Sequence, residues 1–423
     1  MNYSEALNYI SSVNWKGSVP GLERITELMD LLGNPQDSLK FVHIGGTNGK
    51  GSASAFISNV LRKAGYKTGL FISPYIVRFN ERMQIDNQCI SDEELAEITE
   101  YIRPFADSMK DSPTEFELNT AIAFVYFSRN NCDIVVLEVG MGGELDATNI
   151  IKAPEVVLIT AIGLDHTEYL GDSLYKIAST KAGIIKKGSG VVLYRQGEEI
   201  TEVIREKCRE KGCNLYISEP DRLELLHCDI DGQTFRSQDH GNISIRLAAA
   251  YQKNNLAAAI KVIEVIRTKG YIISEEDLRE GLAETLWPGR FEILCRKPVF
   301  LVDGAHNPHG MKAAADSLKA VFKDRKLILI FGVLKDKAYN EMLELILPLA
   351  GSVLCVTPDN SRALKAVELA DIINSRGVPA EAYDSVGEAI ETAFETAEED
   401  DIICAVGSLY MIGDIKQFIN TLN

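Results

Sequence analysis

The stretch Gly45-Gly46-Thr47-Asn48-Gly49-Lys50-Gly51-Ser52 constrains this chain more than any other. It follows a short apolar run, Leu39 to Ile44, that reads as a buried strand. Downstream, Ala53, Phe56, Ile57, Val60, Leu61 and Ala64 recur at i, i+3, i+4, i+7, i+8 and i+11, one face of a helix, and Gly65 stands where such a helix ends. Strand, glycine loop, lysine, hydroxyl and helix, in that order, make a cradle for phosphate. Backbone N–H groups and the helix dipole face the anion, Lys50 adds a charge, and Ser52 can reach a bound metal. The spacing is not the strict Walker form, because Gly51 separates the lysine from the serine. A bare glycine loop can be only a turn. The strand before it and the amphipathic helix after it favour a nucleoside triphosphate site.

A chain of 423 residues is too long for one ordinary core, so two or three domains are expected. Apolar content of 46% and charged content of 25% are those of a soluble globular protein. The net charge of −17 argues against binding nucleic acid or an anionic membrane through bulk electrostatics, so a phosphate site must build its own positive field. Of the eight cysteines, Cys208 and Cys213 are the one close pair, without partners at zinc-ligand spacing; free thiols in a reducing cytosol are expected. Met1 to Asn14 lacks an apolar signal core, and no apolar run approaches membrane-spanning length. The expectation is a cytoplasmic protein.

In chain order, Tyr3–Val13 and Leu22–Leu32 read as helices on either side of Pro20-Gly21. Lys67–Ile72 reads as a second strand ending at Ser73-Pro74, where an α/β sheet binds ligands, although a serine before proline also suits a plain turn. Ser91 caps a helix with an acidic first turn, and Thr114–Ser128 is another. Cys132–Gly140 is an apolar strand running into Glu138. An ionised carboxylate there is costly unless paired or on a metal, which makes Glu138 a magnesium-ligand candidate. Beyond the strand Val156–Thr160 lies His166, on the same sheet edge as Ser52, Ser73 and Glu138. Lys181, in the helix Ser173–Ile185, reads by itself as a solvated surface charge. Leu223–Phe235 reads as a β-hairpin, and Leu247–Thr268 and Glu275–Leu286 as helices. A domain boundary is expected at Cys295–Pro298. Five strands then alternate with helices: Val299–Val302, Leu327–Phe331, Val353–Val356, Ala380–Tyr383 and Ile402–Val406. The first ends in Asp303-Gly304-Ala305-His306-Asn307-Pro308, polar chemistry at a strand's carboxyl end, for which a tight turn with Asp303 capping the next helix is the rival reading. The expected fold is α/β: a P-loop ATPase domain with a mostly parallel sheet over 1–296, and a smaller Rossmann-like domain over 297–423.

Taken together, these motifs resemble the folylpolyglutamate synthase/dihydrofolate synthase family of the Mur ligase superfamily. The resemblance is ordered along nearly the whole chain. Its most specific pieces are Gly46–Ser52, Glu138–Asn149 (Glu-Val-Gly-Met-Gly-Gly-Glu-Leu-Asp-Ala-Thr-Asn), Pro288–Glu292 and Asp303–Pro308. It implies that Gly49, Lys50, Gly51 and Ser52 hold the triphosphate of ATP, and that Ser52, Ser73, Glu138 and His166 serve two magnesium ions, with K+ a further candidate. Lys181 would be carbamylated, turning a cation into a carboxylate that helps the second metal. Asn255, Arg290 and Asp303 would contact ATP, and His306 the incoming L-glutamate. Phe116, Glu117, Leu145 and Asp146 match regions that contact the pterin of a reduced folate or dihydropteroate. Tyr75 stands where the family usually has histidine, and Glu144 where it has arginine, both near the folate region.

The chemistry implied is amide formation through an acyl phosphate, with Lys50 and magnesium neutralising charge on the transferred phosphoryl group. Two rivals remain at this level. A Mur ligase acting on cell-wall precursors usually carries a separate amino-terminal domain, and only about 40 residues precede the loop here. A nucleotide-dependent binding switch would have no use for Asp303–Pro308. The partners expected are small molecules, with no nucleic acid, no membrane and a monomeric chain.

Overall fold

Runs such as Ile134-Val135-Val136-Leu137 are apolar at every position, so neither face of the strand they form can meet water. The computed structural model, which describes residues 1–13, 17, 19–165, 167–323 and 325–422, buries such strands in parallel sheets covered by helices. The chain divides into two units: Met1–Leu223 with Gln238–His240 and Asn254–Thr285, and Glu224–Ser237 with Gly241–Lys253 and Leu286–Asn423. Set beside the expected ranges 1–296 and 297–423, the second unit also takes in 224–237, 241–253 and 286–296.

The first unit's sheet has eight strands: β1 (Phe41–Gly45), β2 (Thr68–Phe71), β3 (Met83–Ile85), β4 (Gln88–Cys89), β5 (Ile134–Glu138), β6 (Val156–Ile159), β7 (Gly190–Leu193) and β8 (Asn214–Ile217). Their order is β4-β3-β2-β5-β1-β6-β7-β8. The run from β2 to β8 is parallel, and β3 and β4 add an antiparallel edge. One core packs the helices Tyr3–Ser11, Glu23–Leu31, Asp92–Ser108 and Glu115–Arg129 against β1, β2 and β5. A second core packs Leu174–Ala182 and Glu198–Lys211 against β6 and β7. Helix starts lie where polar side chains can cap them: Ser91 accepts from Glu94 N, Thr114 from Glu117 N and Ser173 from Lys176 N.

In the second unit, β9 (Leu223–Asp229), β10 (Gly232–Ser237) and β11 (Gly241–Ile245) form a three-stranded sheet in the order β11-β10-β9. The expected hairpin therefore gains a third strand. The larger sheet has six strands: β12 (Glu292–Arg296), β13 (Val299–Val302), β14 (Leu327–Phe331), β15 (Ala350–Cys355), β16 (Ala380–Ala382) and β17 (Ile402–Val406). They run in the order β12-β13-β17-β14-β15-β16. Five strands were expected and all five are present. The sixth, β12, pairs antiparallel with β13 at the edge, and its mix of Glu292, Arg296 and apolar residues hid it from a pattern search. Among the described residues, no helix is long and apolar enough to cross a membrane, and all eight cysteines are free thiols.

His240 belongs to the first unit and is buried between two carboxylates of that same unit. Its Nε2 lies 3.1 Å from Glu264 Oε1 and its Nδ1 2.9 Å from Glu275 Oε2. The bond to Glu264, then that to Glu275, raises its pKa above the usual histidine value against the opposing effect of burial. Lys261 and Arg267 complete the cluster by pairing with Glu264 and Glu275. A histidine with a raised folded-state pKa contributes its stability in full below roughly pH 6.5 and loses it as pH rises through the folded value. His240→Gln should therefore lower Tm more at about pH 6 than at about pH 9. Equal deficits at the two pH values would show that the ring's charge plays no part.

Candidate active site

Four neighbouring parallel strands, β2, β5, β1 and β6, end side by side, and the motif residues of the first unit leave from those ends. From β1 the chain turns into Gly46–Gly49 and enters the helix Lys50–Lys63, whose N-cap, Gly49, has φ +90° and makes no side-chain cap. A side chain at Gly49 would be strained at this φ, and a Cβ would stand 2.5 Å from Asn255 Oδ1, so Asn255 packs directly on the loop. The loop is tied to the chain beyond β6. Thr47 N and Asn48 N donate to Ala161 O, at 2.8 and 3.2 Å, and Thr47 Oγ1 donates to Gly163 O while accepting from Gly163 N.

Three charged side chains converge on the loop. Lys50 Nζ donates to Gly46 O and Thr47 O, both at 3.2 Å, and lies 3.9 Å from Glu138 Oε1. Glu138, the last residue of β5, is buried, and its Oε2 accepts from Ser73 N at 3.4 Å. Ser73 Oγ in turn accepts from Arg82 Nη1, and the Arg82 guanidinium stacks on Tyr75. Lys181 is the correction to the sequence reading: not a solvated charge but 4% exposed, with Nζ donating to Gly46 O at 2.8 Å. Helix periodicity could not reveal this, because the burial comes from neighbouring loops. Burial, and then repulsion from Lys50, bring its pKa down to about 7.

The loop after Glu138 lies on the Lys181 helix. Glu144 N donates to Thr180 O at 3.0 Å, and Asn149 Nδ2 to Glu144 O and Gly183 O. Asp146 is buried and accepts from Met141 N, Thr148 N and Thr148 Oγ1, while Leu145 is exposed. Burial raises the Asp146 pKa, and these hydrogen bonds oppose the rise. Phe116 packs against Gly140, where a Cβ would stand 2.4 Å from the ring. Glu117 is taken up locally: it closes the capping box with Thr114 and pairs with Arg24 Nε at 3.0 Å. His166 lies outside the described residues.

In the second unit Asp303 does not cap the following helix; Asn307 does, accepting from Gly310 N at 2.7 Å. Asp303 is buried and accepts from Tyr251 Oη (2.7 Å), Phe291 N (2.9 Å) and Ala305 N (2.9 Å). Burial raises its pKa, with Arg290 the leading opposing influence. These bonds hold Phe291 at φ +52°, a left-handed conformation rare for an aromatic residue, and fix the turn that carries Arg290. His306 Nδ1 faces Gly304 O at 2.8 Å; a carbonyl only accepts, so Nδ1 carries the proton. Tyr251, Arg82 and Thr148, which bond to expected site residues, were not singled out in the sequence. Tyr251 stands four residues before Asn255, but nothing in the sequence links it to Asp303.

Among the described residues, no three His, Cys, Asp or Glu side chains converge to hold a metal. Of the donors expected for magnesium, Ser52, Ser73, Glu138 and His166, the three that are described are two hydroxyls and a carboxylate, hard oxygen ligands that fit that ion.

Residues 44–263 match the profile of the Mur ligase middle domain, and 289–409 that of the Mur ligase glutamate ligase domain. A dihydrofolate synthase/folylpolyglutamate synthase of Bacillus subtilis is 35% identical over 428 residues, covering 98% of each chain. Folylpolyglutamate synthase of Mycobacterium tuberculosis, solved with ADP and AMPPCP, aligns with a TM-score of 0.89 at 30% identity over 99% of both chains. An Escherichia coli relative solved with DHPP and ADP aligns with a TM-score of 0.88 at 28% identity, over 100% of this chain and 98% of that one. The fold and the two matched domains are thus of the Mur ligase class. Within that class, the chain belongs to the folylpolyglutamate synthase/dihydrofolate synthase family.

The contact between the loop and the Lys181 helix leaves no room for side chains. A Cβ on Gly183 would stand 2.7 Å from Glu144 Cα, and one on Gly143 2.9 Å from Thr180 O. Gly183→Ala should cost about 1–3 kcal/mol in urea unfolding. A variant as stable as the parent would show that the loop yields freely.

Proposed function

We propose that this chain is an ATP-dependent ligase that joins L-glutamate to a folate-type carboxylate, with reduced folates, dihydropteroate or both as the acceptor. The observation that carries the reading is the convergence of Lys50, Glu138 and Lys181 on one glycine loop at the carboxyl edge of a parallel sheet. The names and bound ligands of the relatives support it.

In this reading Gly49, Lys50, Gly51 and Ser52 receive the triphosphate, with loop amides and the Lys50 ammonium on its anionic oxygens. A carboxylate oxygen of the folate attacks the γ-phosphorus, ADP leaves, and an acyl phosphate forms. The amine of L-glutamate attacks the carbonyl carbon, inorganic phosphate leaves, and a proton is lost from nitrogen. Ser52, Ser73, Glu138 and His166 would hold magnesium, whose positive charge would let the anionic reactants meet. Asn255, Arg290 and Asp303 are assigned to ATP, and His306 to glutamate. Phe116, Glu117, Leu145 and Asp146 are assigned to the pterin. A domain division into an ATP-binding part (1–296) and a glutamate-ligase part (297–423), two metal ions with K+ as a further ion, a monomeric chain and a cytoplasmic location complete the reading.

Lys181 is assigned as the residue that becomes a carbamate. Its neutral amine nitrogen bonds to the carbon of CO2, a proton is released, and the anionic product faces the metal site. The depressed pKa supports this, because the neutral amine is the reactive form.

Measured ADP release should require both L-glutamate and a folate, with dihydropteroate and tetrahydrofolate assayed side by side. ADP release that ignores both would remove the ligase reading. Lys50→Ala should lower turnover about 10²–10³-fold in a folded protein. Lys181→Ala should lose activity and regain part of it when a short carboxylic acid is added; a fully active variant would sink the carbamate assignment.

A further inference from the structure

His43 is the one polar side chain of β1, fully buried, and it stands three residues before Gly46. Its Nε2 lies 2.9 Å from Thr148 Oγ1, and Thr148 Oγ1 lies 2.5 Å from Asp146 Oδ1. The hydroxyl has one proton, and the short contact to a carboxylate oxygen takes it. Thr148 Oγ1 must then accept from His43 Nε2–H. That tautomer leaves Nδ1 as a bare lone pair, and Nδ1 meets no hydrogen-bond partner. Burial, and then the nearby Lys186 cation, depress the pKa of the ring to about 3, so it is neutral and holds this single proton. An unpaired buried nitrogen is costly, and an aliphatic residue would avoid the cost. What the histidine contributes instead is the first donor of a chain, His43 to Thr148 to Asp146. Asp146 is where the chain ends; it also accepts from Met141 N on one oxygen and from Thr148 N on the other, and so fixes the loop that also packs on the Lys181 helix.

We propose that His43 is a positioning residue for the folate end of the site, acting through Thr148 to hold Asp146 and the 141–149 loop. This rests on the reading above that Leu145 and Asp146 contact the pterin. The chain of donors couples the strand that delivers the phosphate loop to the loop that receives the acceptor. Its loss is felt in acceptor binding and not in ATP binding.

The test is steady-state kinetics of the full chain, with KM for dihydropteroate or tetrahydrofolate measured separately from KM for ATP. Thr148→Val keeps the side-chain shape and removes the hydroxyl. It should raise the acceptor KM about tenfold, the effect of one lost charge-assisted hydrogen bond, and change the ATP KM less than about twofold. Thr148→Ser, which restores the hydroxyl, should recover most of that loss. Should Thr148→Val fail to fold, His43→Gln, whose amide can donate from the same place, compared with His43→Leu gives the same contrast. An active parent with an unchanged acceptor KM in Thr148→Val, or with acceptor and ATP KM raised equally, overturns the role of His43 alone. A parent that turns over neither folate overturns the folate reading and this role with it.

Discussion

Where a parallel sheet ends, its buried backbone groups lose the ladder and must find partners elsewhere. In the first unit they find them in each other's loops. The chain leaving β1 bonds to the chain leaving β6 through Thr47, Asn48, Ala161 and Gly163. Glu138 at the end of β5 takes the amide of Ser73 beyond β2, and Gly46 O takes the ammonium groups of Lys50 and Lys181. The phosphate loop therefore has its shape because four strand exits satisfy one another. The groups that hold it are the ones to which the proposed function assigns a ligand.

This arrangement concentrates charge where water is scarce. Two lysines and a glutamate share a few ångströms of buried space, and the conflict is eased by Glu138 beside Lys50 and by partial loss of the Lys181 proton. The second unit meets the same problem with opposite sign. Asp303 is buried among three donors with Arg290 near, and its hydrogen bonds hold Phe291 in a conformation that the residue would not choose alone. In both units a buried charge is kept in place by geometry that local sequence does not encode.

That distinction explains what could be read in advance. The phosphate loop, the helix cap at Ser91, the helix starts near Thr114 and Ser173, and the apolar strands are local patterns, and each appears where the sequence placed it. β11, β12 and β8 were missed because strands that are partly exposed carry mixed residues and give a weak alternation. Lys181 was misread, and Tyr251 and Thr148 went unnoticed, because their partners lie far away in sequence: Gly46, Asp303 and His43. Glu117 shows the reverse case. The motif resemblance assigned it to a ligand, and the structure also gives it a helix cap and an ion pair.

The depressed Lys181 pKa carries a further consequence. With a value of about 7, the side chain gives up its proton in the neutral range, where an ordinary lysine keeps it. A neutral amine adds to any electrophile that reaches it. In the mechanism proposed above, an acyl phosphate would be such an electrophile, and an unmodified Lys181 would compete with L-glutamate for it. Under the carbamate assignment proposed above, capping that nitrogen with CO2 would do two things at once: provide a carboxylate and take a competing nucleophile out of the reaction.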